Sequence, residues 1–481
     1  MSRGDYLCGL MLASLFGCGG VGGDPYSEAP GDDEAGSLTG DADTTGATDE
    51  DPPSPGGTGA VAKTLYVAPD GDDGASGAMD APLASLAAAL ARVPPAGTVV
   101  MRGGVYRPTS AVRLQASGDG DSARLTLMAQ PGESVTLDFA DNTRHAAPPQ
   151  PRVDDSLAAT GNAVGLLVTG DWWRIEGLAI RNAAYYGVRV YGSHNVLARL
   201  DLAGNKASGL EITGKDGYAP ADNLVVDCDS HDNFDPQGNG EDADGFAAKF
   251  DTLGPGNVFR RTRAWSNSDD GYDFWHAPHR VLIEECWSFD NGFNRTEWAA
   301  QLTGAFQGDG FGFKLGQDAA DLALVRVVAW GNKGFGIDDN GNRGPGLHIE
   351  HATLFANAKD GNFIQVSLDD GMPHHIVNSL VFDTDAGFTQ AAGVQLTGAV
   401  VDDDNSWSLG GVAVTVDDFV DTDATRLRRD GTAPRAGDGT RVPIGLRLRA
   451  GSDAIDAGAA NGAPFVGGAP DLGAFEVGAP D

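Results

Sequence analysis

A short pattern that recurs at a regular interval constrains this chain more than any other feature of its sequence. An acidic residue, a glycine and an aromatic residue stand together at Asp244-Gly245-Phe246, Asp270-Gly271-Tyr272 and Asp309-Gly310-Phe311. An asparagine precedes each such frame, and the shortest intervals between successive asparagines are 23, 24 and 25 residues. These asparagines are Asn182, Asn205, Asn233, Asn267, Asn291, Asn332 and Asn357. A period of this length indicates a solenoid, in which each repeat forms one turn of a coil.

The segments between the asparagines are short and rich in β-branched and aromatic residues, for example Trp173-Arg174-Ile175 and Val281-Leu282-Ile283. Such segments, bounded by Gly, Asn and Asp, are typical of strands. Several strands in each period form one coil of a parallel β-helix, with coils stacked at roughly 4.8 Å per rung. The helix and the leucine frame of a leucine-rich repeat do not appear in the sequence. We therefore predict an all-β parallel β-helix.

Alternation after each glycine predicts which side chains fill the interior. Phe246 and Ala248, Tyr272 and Phe274, Phe311 and Phe313, and Phe335 and Ile337 share one parity and are expected inside. Ala247, Asp273, Gly312 and Gly336 have the other parity and are expected to face solvent. The recurring asparagines suit an interior ladder at a tight turn, where their amides bond between coils.

The N-terminal part of the chain predicts export. Residues 1–18 contain a short apolar run and end in Leu15-Phe16-Gly17-Cys18, which resembles a bacterial lipoprotein signal with a lipid on Cys18. A plain secretory signal is the alternative, and both place the protein at the outer-membrane surface or outside the cell. Residues 19–62 are mostly Gly, Asp, Thr, Pro and Ser, and predict a disordered acidic linker.

The folded domain is predicted to span residues 63–476. Asp80-Ala81-Pro82 opens an expected helix that would cap the first coil, with Leu83, Leu86, Ala87 and Leu90 on one face. Regular coils are expected from about residue 166 to residue 382, followed by an irregular segment, 383–476, that packs along the solenoid. Cys228 and Cys286 fall two rungs apart, roughly 9–10 Å, which is too far for a disulfide.

The formal net charge of −35 at pH 7 restricts the partners of the protein. An acidic balance of this size argues against nucleic acid and anionic membrane surfaces. An acidic polymer could bind only if cations bridged it to the protein. The chain is expected to be a monomer.

The repeats also bring acidic residues together. When the three central coils are aligned on their glycines, Asp244, Asp270 and Asp309 occupy successive rungs, and Asp269 and Asp273 lie beside the middle one. Unpaired carboxylates at one rung spacing repel, so the arrangement favours a bound cation, and oxygen ligands in this number suit Ca²⁺. Solvated turn residues and a purely structural Ca²⁺ site are the alternatives.

Two lysines and a tryptophan share this face in the same alignment. Lys314 is expected one rung on and two residues along from Asp273, about 8 Å away, where a nearby cation would favour its neutral, basic form. A Ca²⁺ site beside a base fits β-elimination on a uronate polymer, whereas hydrolysis would need a carboxylic acid paired with a carboxylate across the bond. Lys249 would contact a substrate carboxylate or lie on the surface. Trp275 would stack on a sugar or cover the solenoid.

The segments Asp242–Lys249, Asn267–Asp273 and Gly310–Gly316 resemble the three signature segments of the family 9 pectate lyases. The resemblance implies a right-handed parallel β-helix and a pectate lyase that cleaves polygalacturonate. It also implies Ca²⁺ ligands at Asp244, Asp269, Asp270 and Asp273, and a catalytic base at Lys314. The stretch from Gly292 to Asp309 is longer than the family pattern, so endo and exo action both stay open. A lyase for another uronate such as alginate, and a non-catalytic glycan-binding β-helix, are the alternative functions.

Overall fold

The computed structural model describes residues 64–146, 156–317, 322–341, 346–357, 363–367, 374–384, 388–397 and 400–479. The predicted signal peptide, the predicted linker and Cys18 lie outside the described residues.

Strands dominate the described chain. In chain order they are β1 (Thr64–Val67), β2 (Thr98–Met101), β3 (Gly104–Tyr106), β4 (Val112–Leu114), β5 (Leu125–Ala129), β6 (Val135–Asp138), β7 (Leu166–Val168), β8 (Trp173–Glu176), β9 (Leu178–Arg181), β10 (Val188–Val190), β11 (Val196–Ala198), β12 (Asp201–Ala203), β13 (Leu210–Thr213), β14 (Leu224–Val226), β15 (Asp229–His231), β16 (Phe246–Lys249), β17 (Asn257–Arg260), β18 (Arg263–Trp265), β19 (Tyr272–Asp273), β20 (Val281–Glu284), β21 (Trp287–Phe289), β22 (Phe313–Lys314), β23 (Ala323–Val325), β24 (Val328–Trp330), β25 (Ile337–Asp338), β26 (His348–Glu350), β27 (Thr353–Phe355), β28 (Ile364–Ser367), β29 (His374–Val377), β30 (Leu380–Phe382), β31 (Val394–Thr397) and β32 (Val400–Asp403). Short α-helices are α1 (Leu86–Leu90), α2 (Leu157–Thr160), α3 (Thr296–Ala299) and α4 (Ala424–Gly431).

The strands form three parallel sheets that run the length of the molecule. Sheet I contains β1, β2, β5, β8, β11, β14, β17, β20, β23, β26, β29 and β32. Sheet II contains β4, β7, β10, β13, β16, β19, β22, β25, β28 and β31, and sheet III contains β3, β6, β9, β12, β15, β18, β21, β24, β27 and β30. Each turn of the chain visits sheet II, sheet I and sheet III before it returns to sheet II one rung on. This arrangement is the predicted parallel β-helix.

The sheets extend beyond the coils expected at about 166–382, because β1 and β2 already pair at Thr64–Met101 and β32 pairs with β29. Helix α1 begins after Ser85, whose side chain accepts a hydrogen bond from the amide of Ala88. It buries Leu86 and Ala89, while Ala87, expected on the same face, is exposed. That this helix caps the coil stays a prediction.

Register corrects the alignment of the third central coil. Phe246 pairs with Tyr272 and Tyr272 with Phe313, so Phe313, two residues after Phe311, occupies the repeat position. The rings of these three residues stack in the interior, with centroids 5.4 Å and 4.7 Å apart. Phe311 instead stacks on Phe335, and neither ring is part of the interior core in which the sequence predicted it. The acid-Gly-aromatic motif at Asp309 therefore lies two residues out of register with the other two, and Asp309 is not in the acidic column.

The asparagine ladder is present but begins one coil later than predicted. In this ladder the side-chain NH₂ group of each asparagine donates to the side-chain oxygen of the next asparagine at 2.8–3.0 Å. The ladder contains Asn205, Asn233, Asn267, Asn291, Asn332 and Asn357. Asn182 is exposed, and the buried Ala183 stands in its column instead. Asn195, Asn223 and Asn257 form a second, shorter ladder. The sequence pattern did not predict it, because these residues do not precede the glycine frame.

The positions expected to face solvent in sheet II are buried. Ala247 and Asp273 are almost fully covered, and Gly312 and Gly336 are buried as well. The repeated glycine is required by close approach between coils: a Cβ on Gly271 would lie 2.0 Å from the Ser288 hydroxyl. Parity alone did not reveal that side chains and loops outside the sheet cover this face.

The irregular C-terminal segment covers the outer face of sheet III. That face carries a column of stacked rings, and residues including Phe419, Leu427, Ile444 and Leu446 pack on it. The guanidinium of Arg263 donates to the carbonyl oxygens of Gly431 and Ala433, both at 2.9 Å. Within the described chain, Cys228 and Cys286 are buried and unbridged, as expected. None of the described helices has the length and apolar character that a membrane crossing requires.

Candidate functional site

The acidic and basic residues singled out from the sequence meet on the outer side of sheet II. Strands β16, β19 and β22 are neighbours there, and the register places Ala247, Asp273 and Lys314 opposite one another on successive rungs. Asp244 and Asp270 occupy the turns just before β16 and β19. We refer to Asp244, Asp269, Asp270, Asp273, Lys249 and Lys314 as the acidic cluster.

Three of the carboxylates converge. One oxygen each of Asp244, Asp270 and Asp273 lies within 4.8 Å of the other two, and all three residues are buried. Neighbouring groups fix their directions. The Ser208 hydroxyl donates to Asp244 Oδ2 at 3.0 Å, the Phe311 amide to Asp270 Oδ1 at 2.7 Å, and the Trp275 amide to Asp273 Oδ1 at 2.9 Å.

Asp269 is held differently from the other three acids. Its two carboxylate oxygens accept hydrogen bonds from the backbone amides of Asp242, at 2.7 Å, and Asp309, at 2.8 Å. It stays close enough to its neighbours for burial and the Asp244 charge to raise its pKa to about 8. Asp309 thus contributes its backbone amide to the site, while its own side chain is exposed.

The two lysines form short ion pairs with the carboxylates of the cluster. Lys249 Nζ lies 2.8 Å from Asp244 Oδ2 and 2.6 Å from Asp273 Oδ2. Lys314 Nζ lies 3.2 Å from Asp270 Oδ2 and 3.7 Å from Asp273 Oδ2. The 3.7 Å separation replaces the expected 8 Å because Lys314 stands directly opposite Asp273. The Lys314 side chain is 15% exposed and that of Lys249 only 7%.

The electrostatic balance differs among the members of the cluster. Burial and the adjacent Asp269 carboxylate raise the pKa of Asp270 well above its usual range. Burial alone would also raise the pKa of Asp273, but Lys249 and Lys314 outweigh it and lower that pKa. Burial favours the neutral form of both lysines, and the surrounding carboxylates outweigh it and raise their pKa values.

One oxygen in the cluster lacks a hydrogen bond. Asp270 Oδ2 is buried and accepts none from any residue that the structure describes, although the Lys314 ammonium lies 3.2 Å away. A buried carboxylate oxygen that has an ion-pair partner but no hydrogen bond can still accept a metal ion. The donor set consists of carboxylate oxygens, which suit a hard cation such as Ca²⁺ better than Zn²⁺. The residues present therefore fit the expected ion.

Two long connections from sheet III to sheet II form a wall beside the cluster. We define the wall as residues 232–243 and 293–309. Phe234 and Trp298 stack at 4.8 Å, Arg295 pairs with Asp232, and Asn239 Oδ1 accepts hydrogen bonds from the backbone of the second connection. The stretch recognised in the sequence as unusually long is thus anchored to the neighbouring coil.

Aromatic and basic side chains lie on the opposite side of the cluster, in the turns that follow sheet II. Trp275 is 37% exposed and meets Phe250 edge to face, and Lys215 Nζ lies 4.9 Å from the Phe250 ring centre. The sequence pointed to Trp275 but not to Phe250 or Lys215. It also did not reveal the double ion pair of Lys249 or the Ser208 hydrogen bond, because both depend on contacts between coils.

Comparison with known proteins gives a consistent result. The family model described as "Pel9A-like, right handed beta helix region" matches residues 65–376. Pectate lyase L of Dickeya dadantii is 33% identical over 434 residues, covering 86% of this chain and 90% of that protein. Pectate lyase PEL9 of Emericella nidulans is 32% identical over 433 residues, covering 82% and 95%. The crystal structure of pectate lyase Pel9A superposes with a TM-score of 0.72 at 33% identity, covering 86% and 96%.

Proposed function

Because the chain belongs to the Pel9A-like right-handed β-helix family and is a polysaccharide lyase of the pectate lyase type, we propose that it cleaves polygalacturonate by Ca²⁺-assisted β-elimination with Lys314 as the general base. The observation that carries this proposal is the position of Lys314. Its side chain is the more exposed of the two lysines in the acidic cluster, and its amine lies 3.2 Å from Asp270 and 3.7 Å from Asp273.

Asp244, Asp270 and Asp273 are the residues that would hold the ion, with Asp269 as a fourth ligand. When bound, Ca²⁺ would neutralise the substrate carboxylate and make the proton on C5 of the uronate more acidic. The side chains need little rearrangement for this role, because backbone amides and Ser208 already orient the carboxylates.

Lys314 accepts the C5 proton in this mechanism. Its two carboxylate partners stabilise the ammonium form, and burial opposes them. Once Asp270 and Asp273 serve as ligands, the effect of burial remains and favours the neutral amine that a base requires. As the C5–H bond breaks, its electron pair forms the C4=C5 double bond and the C4–O bond breaks. The departing oxygen takes up a proton, which leaves an unsaturated uronide and a new reducing end.

Export is part of the proposal. We infer that the protein acts outside the cytoplasm as a monomer, either secreted or attached through a lipid on Cys18. Labelling of producing cells with a radioactive fatty acid tests the anchor, because Cys18→Ser would lose the label if the lipid is there. Unlabelled wild-type protein in the medium would indicate the plain secretory form.

The central experiment measures the absorbance of the unsaturated product on polygalacturonate and on alginate, with Ca²⁺ or with EDTA. Product on polygalacturonate that disappears with EDTA supports the proposal. Product on alginate alone would indicate the other uronate, and binding without product on either would indicate a glycan-binding protein. We expect Lys314→Ala to fold and bind Ca²⁺ but to lose at least about a thousandfold in kcat. Lys215→Ala, in a neighbouring turn, is the matched control and should keep most activity.

A further inference from the structure

Lys249 is the most tightly enclosed cation of the acidic cluster. Its ammonium lies between two carboxylates that converge with Asp270, and it touches the Oδ2 atom of each. Only 7% of its side chain is exposed, half the fraction of Lys314. A group held from both sides in this way is poorly placed to reach a polymer in the groove.

Lys249 supplies the positive charge that stays in the cluster when Lys314 is the neutral base. In that state four carboxylates and the Lys249 ammonium leave three net negative charges. Glu211, the next acidic residue along this face, is paired with Arg189 at 3.2 Å. Without the Lys249 charge the cluster would carry four net negative charges and would favour an ion of higher charge more strongly.

We propose that Lys249 is a positioning residue that acts as a built-in counter-ion, fixing the directions of Asp244 and Asp273 and lowering the net negative charge that the metal ion meets. This inference rests on the metal site of the proposed function. It assigns Lys249 a role other than the substrate contact expected from the sequence.

A selectivity ratio tests this role more sharply than an affinity does. Ca²⁺ and Tb³⁺ are similar in size and use the same oxygen ligands, so loss of side-chain order weakens both. Loss of a unit positive charge beside the site favours the trivalent ion more than the divalent ion. The ratio of the two dissociation constants therefore reports the charge of Lys249, whereas a purely structural role would leave the ratio unchanged.

The experiment titrates the full chain with each ion and follows Tb³⁺ luminescence and Ca²⁺ competition. The signal of Asp270→Asn is subtracted as the contribution of other acidic sites. In Lys249→Met we expect the preference for Tb³⁺ over Ca²⁺ to rise at least about tenfold, and in Lys249→Arg to stay near the wild-type value. Lys215→Met is the matched control, since it removes the same charge from the neighbouring turn, and should shift the ratio less than about threefold.

An unchanged ratio in Lys249→Met would overturn the inference. If that variant does not fold, Lys249→Gln replaces it, because its amide can still donate to one carboxylate. Neutral variants that stay unfolded in the presence of either ion would also contradict the inference, since the extra charge of a trivalent ion should compensate for the lost ammonium group. If wild type and Asp270→Asn bind Ca²⁺ equally, the metal site of the proposed function fails. Ion binding with an unmoved ratio defeats the Lys249 role alone.

Discussion

The outer faces of sheet III and sheet II are built from the same coils but carry different kinds of side chain on successive rungs. On sheet III, Trp265, Phe289 and Trp330 lie on successive rungs, with centroids 5.6 Å and 4.1 Å apart in nearly parallel planes. On sheet II, successive rungs carry carboxylates and ammonium groups. Rings stack favourably at one rung spacing, whereas like charges at that spacing need compensation.

The two faces are also covered differently. The rings of sheet III are covered by the C-terminal segment, to which Arg263 donates two hydrogen bonds from the coil. The charges of sheet II are flanked by the wall and by the turn that carries Trp275, and Lys314 keeps some exposure. From this contrast we expect sheet III to contribute stability and sheet II to contribute chemistry.

The largest expected effect on stability comes from the outer face of sheet III. Phe289→Ala should lower the free energy of unfolding by about 3–5 kcal/mol, because it leaves a cavity between Trp265 and Trp330. Chemical denaturation measures this loss, and kcat of the folded variant should stay close to wild type. Phe465→Ala, at an exposed ring, is the control. A variant that kept its stability but lost activity would break the division between the faces.

The second prediction concerns the outer face of sheet II, where a substitution should lower activity without lowering stability. Asp270→Asn should lower Ca²⁺-dependent activity by about a hundredfold or more, roughly 2.7 kcal/mol in transition-state stabilisation. Without metal, the variant should be at least as stable as wild type, because burial and Asp269 disfavour the ionised form of this carboxyl. Activity assays and thermal unfolding in EDTA measure the two effects.

Asp309→Asn is the matched control for Asp270→Asn. Its side chain is exposed, and the register removes it from the acidic column, so near-normal activity is expected. A loss as large as that of Asp270→Asn would show that the alignment by motif, and not the observed register, describes the site.

A smaller effect is expected from Trp275, the exposed ring in the turn that follows β19. Trp275→Ala should raise KM for polygalacturonate about fivefold, roughly 1 kcal/mol, with little change in the free energy of unfolding. The reason is its 37% exposure beside the acidic cluster, in contrast to the buried rings of sheet III. Trp275→Phe should recover most of the affinity. Unchanged KM together with a lower melting temperature would assign this tryptophan to the solenoid.

The smallest prediction concerns pH at the end of the ring column. His231 stacks on Trp265 and is bound by Asp201 and Asp232, which pair in turn with Arg181 and Arg295. Burial would lower the pKa of His231, but the two carboxylates outweigh it and raise the pKa to about 9.

A raised folded-state pKa means that the His231 contribution is complete below its unfolded value of about 6.5 and is lost as pH rises through about 9. We therefore expect the melting temperature of wild type to fall by about 2 °C more than that of His231→Gln between pH 6 and pH 9.5. If the melting temperatures of the two proteins changed equally with pH, the imidazolium would add no stability at this end of the ring column.

The sequence predicted the architecture and most of the acidic cluster because both depend on periodic residue types. The strands, the interior aromatic residues other than Phe311 and Phe335, the asparagine ladder from Asn205 to Asn357 and the proximity of Lys314 to Asp273 follow from a repeat that pattern alone reveals. The cluster members lie within two or three rungs, so even an imperfect alignment brought them together.

The remaining features could not be predicted, because they depend on which residues meet between coils. Phe311 and Phe313 fit the interior equally well by type, and only the stacking of Phe313 on Tyr272 selects the register. The burial of Asp273 and Lys249 depends on contacts between side chains on different coils. Asn182 resembles the other asparagines in sequence, yet Ala183 fills its column.

Chain length between rungs is the feature with the widest consequence. Ala183 and Asn205, which are hydrogen-bonded between neighbouring early coils, are 22 residues apart in the chain. The corresponding hydrogen-bonded pairs at the acidic cluster are farther apart: Ser208 and Asp244 by 36 residues, and Asp270 and Phe311 by 41. Most of the additional residues leave the sheets and form the wall, while the strands of sheet II stay paired from rung to rung. Grafting a different pair of connections onto this scaffold should therefore redirect polymer preference, and the reacting groups should stay in place as long as the graft keeps the backbone amides of Asp242 and Asp309 that hold Asp269.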